Sequence, residues 1–138
     1  MAARIEAARF YADEPVLGLG KSLAYARHDV LYCGHPLIPE CFLGIHDEDW
    51  IPLVANRGLV ALTRDKHIRT RPVERMAVKQ SGLRMFAINT KGDLDTWGWL
   101  TLLIRHWAAM EDAITQQPSG PWVYTVNQSG LSAMALDD

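Results

Sequence analysis

The chain alternates between short apolar runs typical of strands and longer amphipathic stretches typical of helices. Five runs predict strands, at residues 9–12, 29–33, 59–63, 83–88 and 121–127. Four stretches predict helices, at residues 16–28, 47–58, 71–82 and 96–114. The last strand opens with Pro121, which has no backbone N–H to donate, so we expect that strand at the edge of the sheet.

This order of elements predicts an α/β fold. Strands that alternate with helices form right-handed crossovers, so we expect a mainly parallel sheet of four or five strands with helices on both faces. Gly58 and Gly82 stand where two of the helices should end. A length of 138 residues suits a single domain spanning residues 1–138.

The composition of the chain is compatible with many classes of globular protein. With 49% hydrophobic and 22% charged residues, the sequence is that of an ordinary globular protein. The net charge of -2 gives no overall attraction to nucleic acid, which would need a local basic patch. No stretch has the length of a signal peptide core or a membrane span, and two cysteines do not suggest a disulfide scaffold. These features predict a cytoplasmic protein without a membrane partner.

Acidic residues lie just after two of the predicted strands. Asp13 and Glu14 come after the first strand, and Asp65 comes after the third. Ligands of open α/β sheets bind beyond the carboxyl ends of the strands. If the two strands are neighbours, we therefore expect the carboxylates of Asp13 and Asp65 to converge.

A third acidic group opens the second predicted helix, where the helix dipole favours negative charge. Asp47 lies three residues before Trp50, and Glu48 lies three residues before Ile51, so each shares a face with an apolar residue. Asp47 is slightly preferred as a site residue, but the choice between Asp47 and Glu48 stays open. Asp49 is expected to point outward.

Carboxylates gathered at one point repel each other unless a cation neutralises them. Mg²⁺ and similar hard cations bind carboxylate oxygens, and a bound metal can activate water for phosphoryl transfer. Acids at strand ends and helix starts also occur as caps and dipole partners. For Asp13 and Asp65 together, at equivalent strand ends, we favour the metal site.

The acidic segments resemble those of the PIN-like nucleases, and especially of the VapC-type ribonuclease toxins of bacterial toxin–antitoxin pairs. The resemblance runs from about residue 9 to residue 88 and is carried by "YADE", "HDEDWIPLVANRG" and "VALTRDKHI". It implies a metal-dependent endoribonuclease that uses Mg²⁺ or Mn²⁺ and is neutralised by a cognate antitoxin. It places catalytic, metal-binding acids at Asp13, at Asp47 or Glu48, and at Asp65.

The resemblance also raises the question of further ligands. Many members have a fourth acid, for which Asp93 and Asp95 are candidates, although Asp95 is better explained as the N-cap of the helix that follows. Glu14 has no counterpart in many simple PIN sequences. It is similar to the second acid of a PIN-like subgroup, as an extra metal ligand or as a group that supports one.

A basic strip surrounds Asp65 and would suit the phosphate backbone of RNA. Its members are Arg64, Lys66, Arg69 and Arg71. Trp97 and Trp99 cannot both face inward from one helix, so one of them is expected to be exposed, where it could stack on a base.

Two other classes of protein remain open. A receiver-like signalling domain also binds Mg²⁺ through an acid pair after its first strand and an Asp after its third, here 65 − 13 = 52 residues apart. The last predicted strand lacks the Lys-Pro pair of that class. The other alternative is a non-catalytic interaction protein with a PIN-like fold. The sequence leaves open the RNA target, the number of metals and whether the protein forms a homodimer.

Overall fold

The computed structural model describes residues 7–64, 71–90, 92 and 94–136. The strands are β1 (Phe10–Ala12), β2 (Val30–Tyr32), β3 (Val60–Arg64), β4 (Arg84–Ile88), β5 (Trp122–Asn127) and β6 (Gly130–Met134). The helices are α1 (Leu17–Ala26), α2 (Asp47–Asn56), α3 (Pro72–Ser81) and α4 (Thr96–Gln116), and a 3-10 turn covers Glu14–Val16. Each predicted element is present, with its ends displaced by a few residues at most.

The strands form one sheet in the order β2-β1-β3-β4-β5-β6. All neighbouring pairs are parallel except β5 and β6, which are antiparallel. The predicted mainly parallel α/β fold is therefore confirmed. Strands β1 and β3 are direct neighbours, with Ala12 opposite Leu62, so their carboxyl ends meet as expected.

Two details of the predicted sheet are wrong. The sheet has a sixth strand, because Gly130, at φ 137°, reverses the chain and lets it return beside β5. Strand β5 therefore lies inside the sheet and not at its edge. Pro121 does not disturb the ladder, because β5 begins at the next residue, Trp122, whose N–H donates to the Leu83 carbonyl at 3.1 Å.

The two faces of the sheet are covered by different helix pairs, which confirms the predicted layers. Successive strand residues point to opposite faces, so Tyr11 and Phe10 belong to different clusters of the core. Tyr11 packs with Trp50 and Val78 of α2 and α3. Phe10 packs with buried residues of α1 and α4, such as Leu103. Within the described part of the chain, no helix is long and apolar enough to cross a membrane.

Close packing of α1 on β1 fixes the end of β1. A Cβ added to Gly20 would lie 2.5 Å from the Cβ of Ala12 and 3.1 Å from that of Tyr32. Only glycine lets the helix backbone come this near to the strands. Because Ala12 immediately precedes Asp13, this contact also positions the first acid of the candidate site.

Candidate active site

Asp13 is a buried carboxyl group at the carboxyl edge of the sheet, with 4% of its surface exposed. Its backbone N–H donates to the Leu62 carbonyl at 2.9 Å, which continues the pairing of β1 with β3. The Glu14 N–H donates to Asp13 Oδ1 at 2.7 Å, and the Thr63 hydroxyl donates to Oδ2 at 3.3 Å. Both carboxylate oxygens are thus held in place by neighbouring groups.

The surroundings of Asp13 disfavour its charge. Its pKa is raised to about 6, mainly by burial, and the negative charges of Asp47 and Glu14 contribute to that rise. The hydrogen bonds from the Glu14 N–H and the Thr63 hydroxyl lower the pKa but do not offset burial. An ionised Asp13 would therefore be stabilised by a cation nearby.

Asp13, Glu14 and Asp47 line one cavity of about 370 Å³. The cavity is also lined by Pro15, Gly44 and Ile45. Glu14 is exposed, and its Oε1 accepts the Gly44 N–H at 2.6 Å. Glu14 therefore ties the loop that leads into α2 to the end of β1, beside Asp13.

Of the helix acids, Asp47 is the one that reaches this cavity. It is the first residue of α2, it is half-buried, and its Oδ1 accepts the Trp50 Nε1–H at 2.8 Å. Glu48 and Asp49 are exposed, and neither lines the cavity. The structure thus brings Asp47 to Asp13 and leaves Glu48 outside.

A further acid, Glu74, lies beside Asp47 and was missed by the sequence analysis. It sits in the first turn of α3, which packs against α2, and only 7% of its surface is exposed. Its pKa is raised to about 7, first by burial and then by a hydrogen bond with the Asp47 carboxyl and by the Asp47 charge, while Arg71 lowers it. Arg71 Nη1 lies 3.4 Å from Glu74 Oε1. One signal was available, since Glu74 is four residues before the buried Val78 and shares its face.

The other predicted site residues do not line this cavity in the described structure. Asp65, Lys66, Arg69 and Asp93 lie outside the described residues. Asp95 is the N-cap of α4, because its Oδ1 accepts the Gly98 N–H at 2.8 Å, which confirms the cap interpretation. The Arg64 guanidinium lies 5.3 Å from the centre of the Trp99 ring.

The expectation for the two tryptophans is confirmed. Trp97 is 75% exposed and Trp99 is half-buried. Helical geometry separates these two side chains by 200° around α4, so burial of one turns the other toward solvent.

The donor set suits a hard divalent cation, although it is incomplete in the described residues. Among residues 7–64, 71–90, 92 and 94–136, no three His, Cys, Asp or Glu side chains come together as a full metal site. The acids that do converge offer only carboxylate oxygens, which are the ligands of Mg²⁺ and Mn²⁺. The raised pKa of buried Asp13 shows that its charge is poorly compensated by the protein. Donor chemistry and electrostatics both fit such a cation.

Comparison with known proteins agrees with this fold. The family model of the PIN-like domain matches residues 8–90, so the chain belongs to the PIN-like domain family. Its members are generally nucleases that depend on divalent metals and bind nucleic acid. The matched segment runs from the start of β1 past the end of β4 and contains all the converging acids. Neither curated proteins nor solved structures gave a match to the chain.

Proposed function

We propose that this chain is a Mg²⁺- or Mn²⁺-dependent endoribonuclease that hydrolyses RNA phosphodiester bonds. The observation that carries the proposal is the buried Asp13 carboxyl, which faces Asp47 across one cavity at the carboxyl edge of a PIN-like sheet. In this proposal the protein is a single-domain cytoplasmic toxin of the VapC type, and a cognate antitoxin neutralises it.

Asp13 and Asp47 would hold the metal, with Asp65 and Glu74 as further carboxylates of the same site. A divalent cation there would supply an activated water and stabilise the negative charge that develops on the phosphate. The protein holds the acids ready for this role. Thr63 and the Glu14 N–H orient Asp13, whereas the Trp50 indole orients Asp47.

The basic strip of Arg64, Lys66, Arg69 and Arg71 would guide the RNA backbone to these acids. Arg64 ends β3, next to β1 and Asp13, and Arg71 begins the segment that carries Glu74. The overall charge of -2 means that this attraction would be local. Arg71 also pairs with Glu74, so it would serve both the site and the substrate.

The decisive experiment compares cleavage of RNA by three proteins in the presence of Mn²⁺: wild type, Asp13→Asn and Asp49→Asn. The last is a matched control, because Asp49 is an exposed acid of α2 outside the cavity. We expect Asp13→Asn to lower the rate at least about 100-fold, the order of effect of removing one group that stabilises developing charge. Equal rates for the two variants would contradict the proposal.

The biological role needs its own test. Induction of the wild-type chain should arrest growth, Asp13→Asn should not, and co-expression of the small neighbouring reading frame should relieve the arrest. A chain that cleaves RNA in vitro but leaves growth unaffected would contradict the toxin role alone. A chain that binds RNA in metal and never cleaves it would instead be a non-catalytic PIN-fold protein.

A further inference from the structure

A second cavity, of about 470 Å³, opens where β4 ends and the hairpin of β5 and β6 turns. Its lining includes Asn89, Thr90, Leu94, Asn127 and Gln128. This volume lies within the usual range of small-molecule sites, about 300–1,000 Å³. The acids of the candidate active site are not part of it.

The sheet places this cavity near the candidate active site. Asp13 follows β1 and Asn89 follows β4, and these parallel strands end at the same edge with only β3 between them. Strands in a sheet are about 4.8 Å apart, so the ends of β1 and β4 are separated by roughly 10 Å. A short single-stranded oligonucleotide could therefore occupy both places.

The polar side chains of the cavity are neutral, and its amides have unused hydrogen-bonding capacity. The Asn89 backbone N–H donates to the Val126 carbonyl at 2.9 Å, whereas its half-buried side-chain amide has no partner in the described part of the chain. Asn127 Oδ1 accepts the Ser129 hydroxyl at 3.0 Å. Its NH₂ group has no partner among the described residues. Two Asn residues thus line one cavity, each with amide donors that are unpaired in the described part of the chain.

These groups suit a nucleobase better than a phosphate. An Asn amide presents a donor and an acceptor side by side, which match the adjacent acceptor and donor of a base edge. Leu94 adds an apolar wall on which the flat face of a base can lie. None of the described lining residues carries a positive charge, so a phosphate would gain no ion pair from them.

We propose that this cavity binds one unpaired nucleobase of the RNA and so holds the strand in register with the acids at the end of β1. This inference rests on the proposed function, which it deepens by adding a base preference close to the cleaved bond. Recognition comes from Asn89 and Asn127, and the basic strip supplies attraction that does not depend on sequence.

The experiment measures the Kd of labelled homopolymeric RNA 8-mers (A, C, G and U) in EDTA, where cleavage does not interfere. The proteins are wild type, Asn89→Ala and Asn56→Ala. Asn56 is a matched control, since it is exposed and ends α2, which starts at the candidate active site and runs away from it. We expect Asn89→Ala to raise the Kd of the best-bound homopolymer about tenfold and to leave the Kd of the weakest-bound one unchanged. The dependence of Kd on salt should stay the same, because no charge is removed. Asn56→Ala should behave as wild type.

The outcomes separate this inference from the proposed function. If Asn89→Ala keeps the wild-type Kd values and base preference, the cavity does not bind a base, even where the wild type cleaves RNA. Equal weakening of all four homopolymers would also overturn the base-binding role. A base preference that Asn89→Ala abolishes, in a protein that no metal makes active, would support the cavity and contradict the nuclease. If Asn89→Ala fails to melt cooperatively, Gln128→Ala, an exposed change in the same cavity, takes its place.

Discussion

Asp13 combines two properties that rarely occur together in a purely structural carboxyl. It is almost fully buried, and a second acid, Asp47, lies close enough to raise its pKa. A buried like-charged pair lowers stability unless a proton or a cation intervenes. This arrangement is expected when the pair is retained for binding a cation.

The first prediction follows from the titration of Asp13 without metal. Its folded pKa is about 6, against 3.8 for the ordinary group, so the folded protein binds the extra proton between these values. Stability due to this group therefore falls as pH rises from about 4 to above 6, by on the order of 3 kcal/mol. Asp13→Asn keeps an oxygen for the Glu14 N–H and has no charge to bury. In EDTA we expect the variant to be more stable than wild type at pH 7.5 and similar at pH 4, by urea denaturation.

The opposite result would be equally clear. A variant that is less stable than wild type at pH 7.5 would show that Asp13 acts as an ordinary cap of the 3-10 turn.

The second prediction contrasts Glu74 with Glu48. Glu74→Gln removes a buried charge beside Asp47, and we expect it to lower RNA cleavage about tenfold while the melting temperature at pH 8 stays equal or rises. Glu48→Gln makes the same chemical change at an exposed position outside the cavity and should leave both quantities unchanged. Cleavage rates and thermal melts of both variants check this. A larger loss of activity in Glu48→Gln would reverse the assignment of the helix acids.

At the scale of elements, the contact of α1 with β1 provides the third prediction. Alanine is the better helix former by about 1 kcal/mol. At position 20, however, its Cβ would overlap that of Ala12 at 2.5 Å. We expect Gly20→Ala to be net destabilising, by roughly 1–3 kcal/mol for overpacking. Lys21→Ala, the neighbouring exposed position, should change stability by less than about 0.5 kcal/mol. A more stable Gly20→Ala protein would mean that α1 can move away from β1 freely.

The start of α4 provides the fourth prediction, which separates a cap from a metal ligand. Asp95→Asn keeps the oxygen that accepts the Gly98 N–H, whereas Asp95→Ala loses it. We expect Asp95→Asn to match wild type in stability and cleavage, and Asp95→Ala to lose about 1 kcal/mol of stability. Urea midpoints and cleavage rates in Mn²⁺ are the measurements. Loss of cleavage in a stable Asp95→Asn protein would make Asp95 the fourth acid.

At the scale of the whole molecule, metal binding is linked to folding, which gives the fifth prediction. A cation that binds only the folded protein stabilises it, by about 2.7 kcal/mol at 100 times its Kd. Mn²⁺ at millimolar concentration should therefore raise the melting temperature of wild type and of Asp49→Asn. It should raise that of Asp13→Asn much less. No shift in wild type would exclude a metal site that is formed in the folded protein.

The sequence by itself determined those features that depend on near neighbours in the chain. The spacing of apolar residues along the chain predicted all four helices of the described structure and the first five strands, because this spacing reflects which faces of an element are buried. Gly58 and Gly82 adopt φ values of 71° and 75°, as expected of the glycines that end α2 and α3. Asp95 could be identified as a cap because its partner is only three residues away.

Only the tertiary structure decided which acids meet. Asp47 and Glu48 are adjacent and both share a face with apolar residues, and the packing of α2 beside β1 brings Asp47 alone to the cavity. In the sequence, Glu74 has the position of an ordinary acid in the first turn of a helix. In the structure, the packing of α3 against α2 buries it beside Asp47. The interior position of β5 depended on β6, whose pattern is weakly apolar. Burial and charge proximity arise from contacts between residues far apart in the chain. A local pattern, such as the face that Glu74 shares with Val78, indicates which side of a helix is buried but not which residues it meets there.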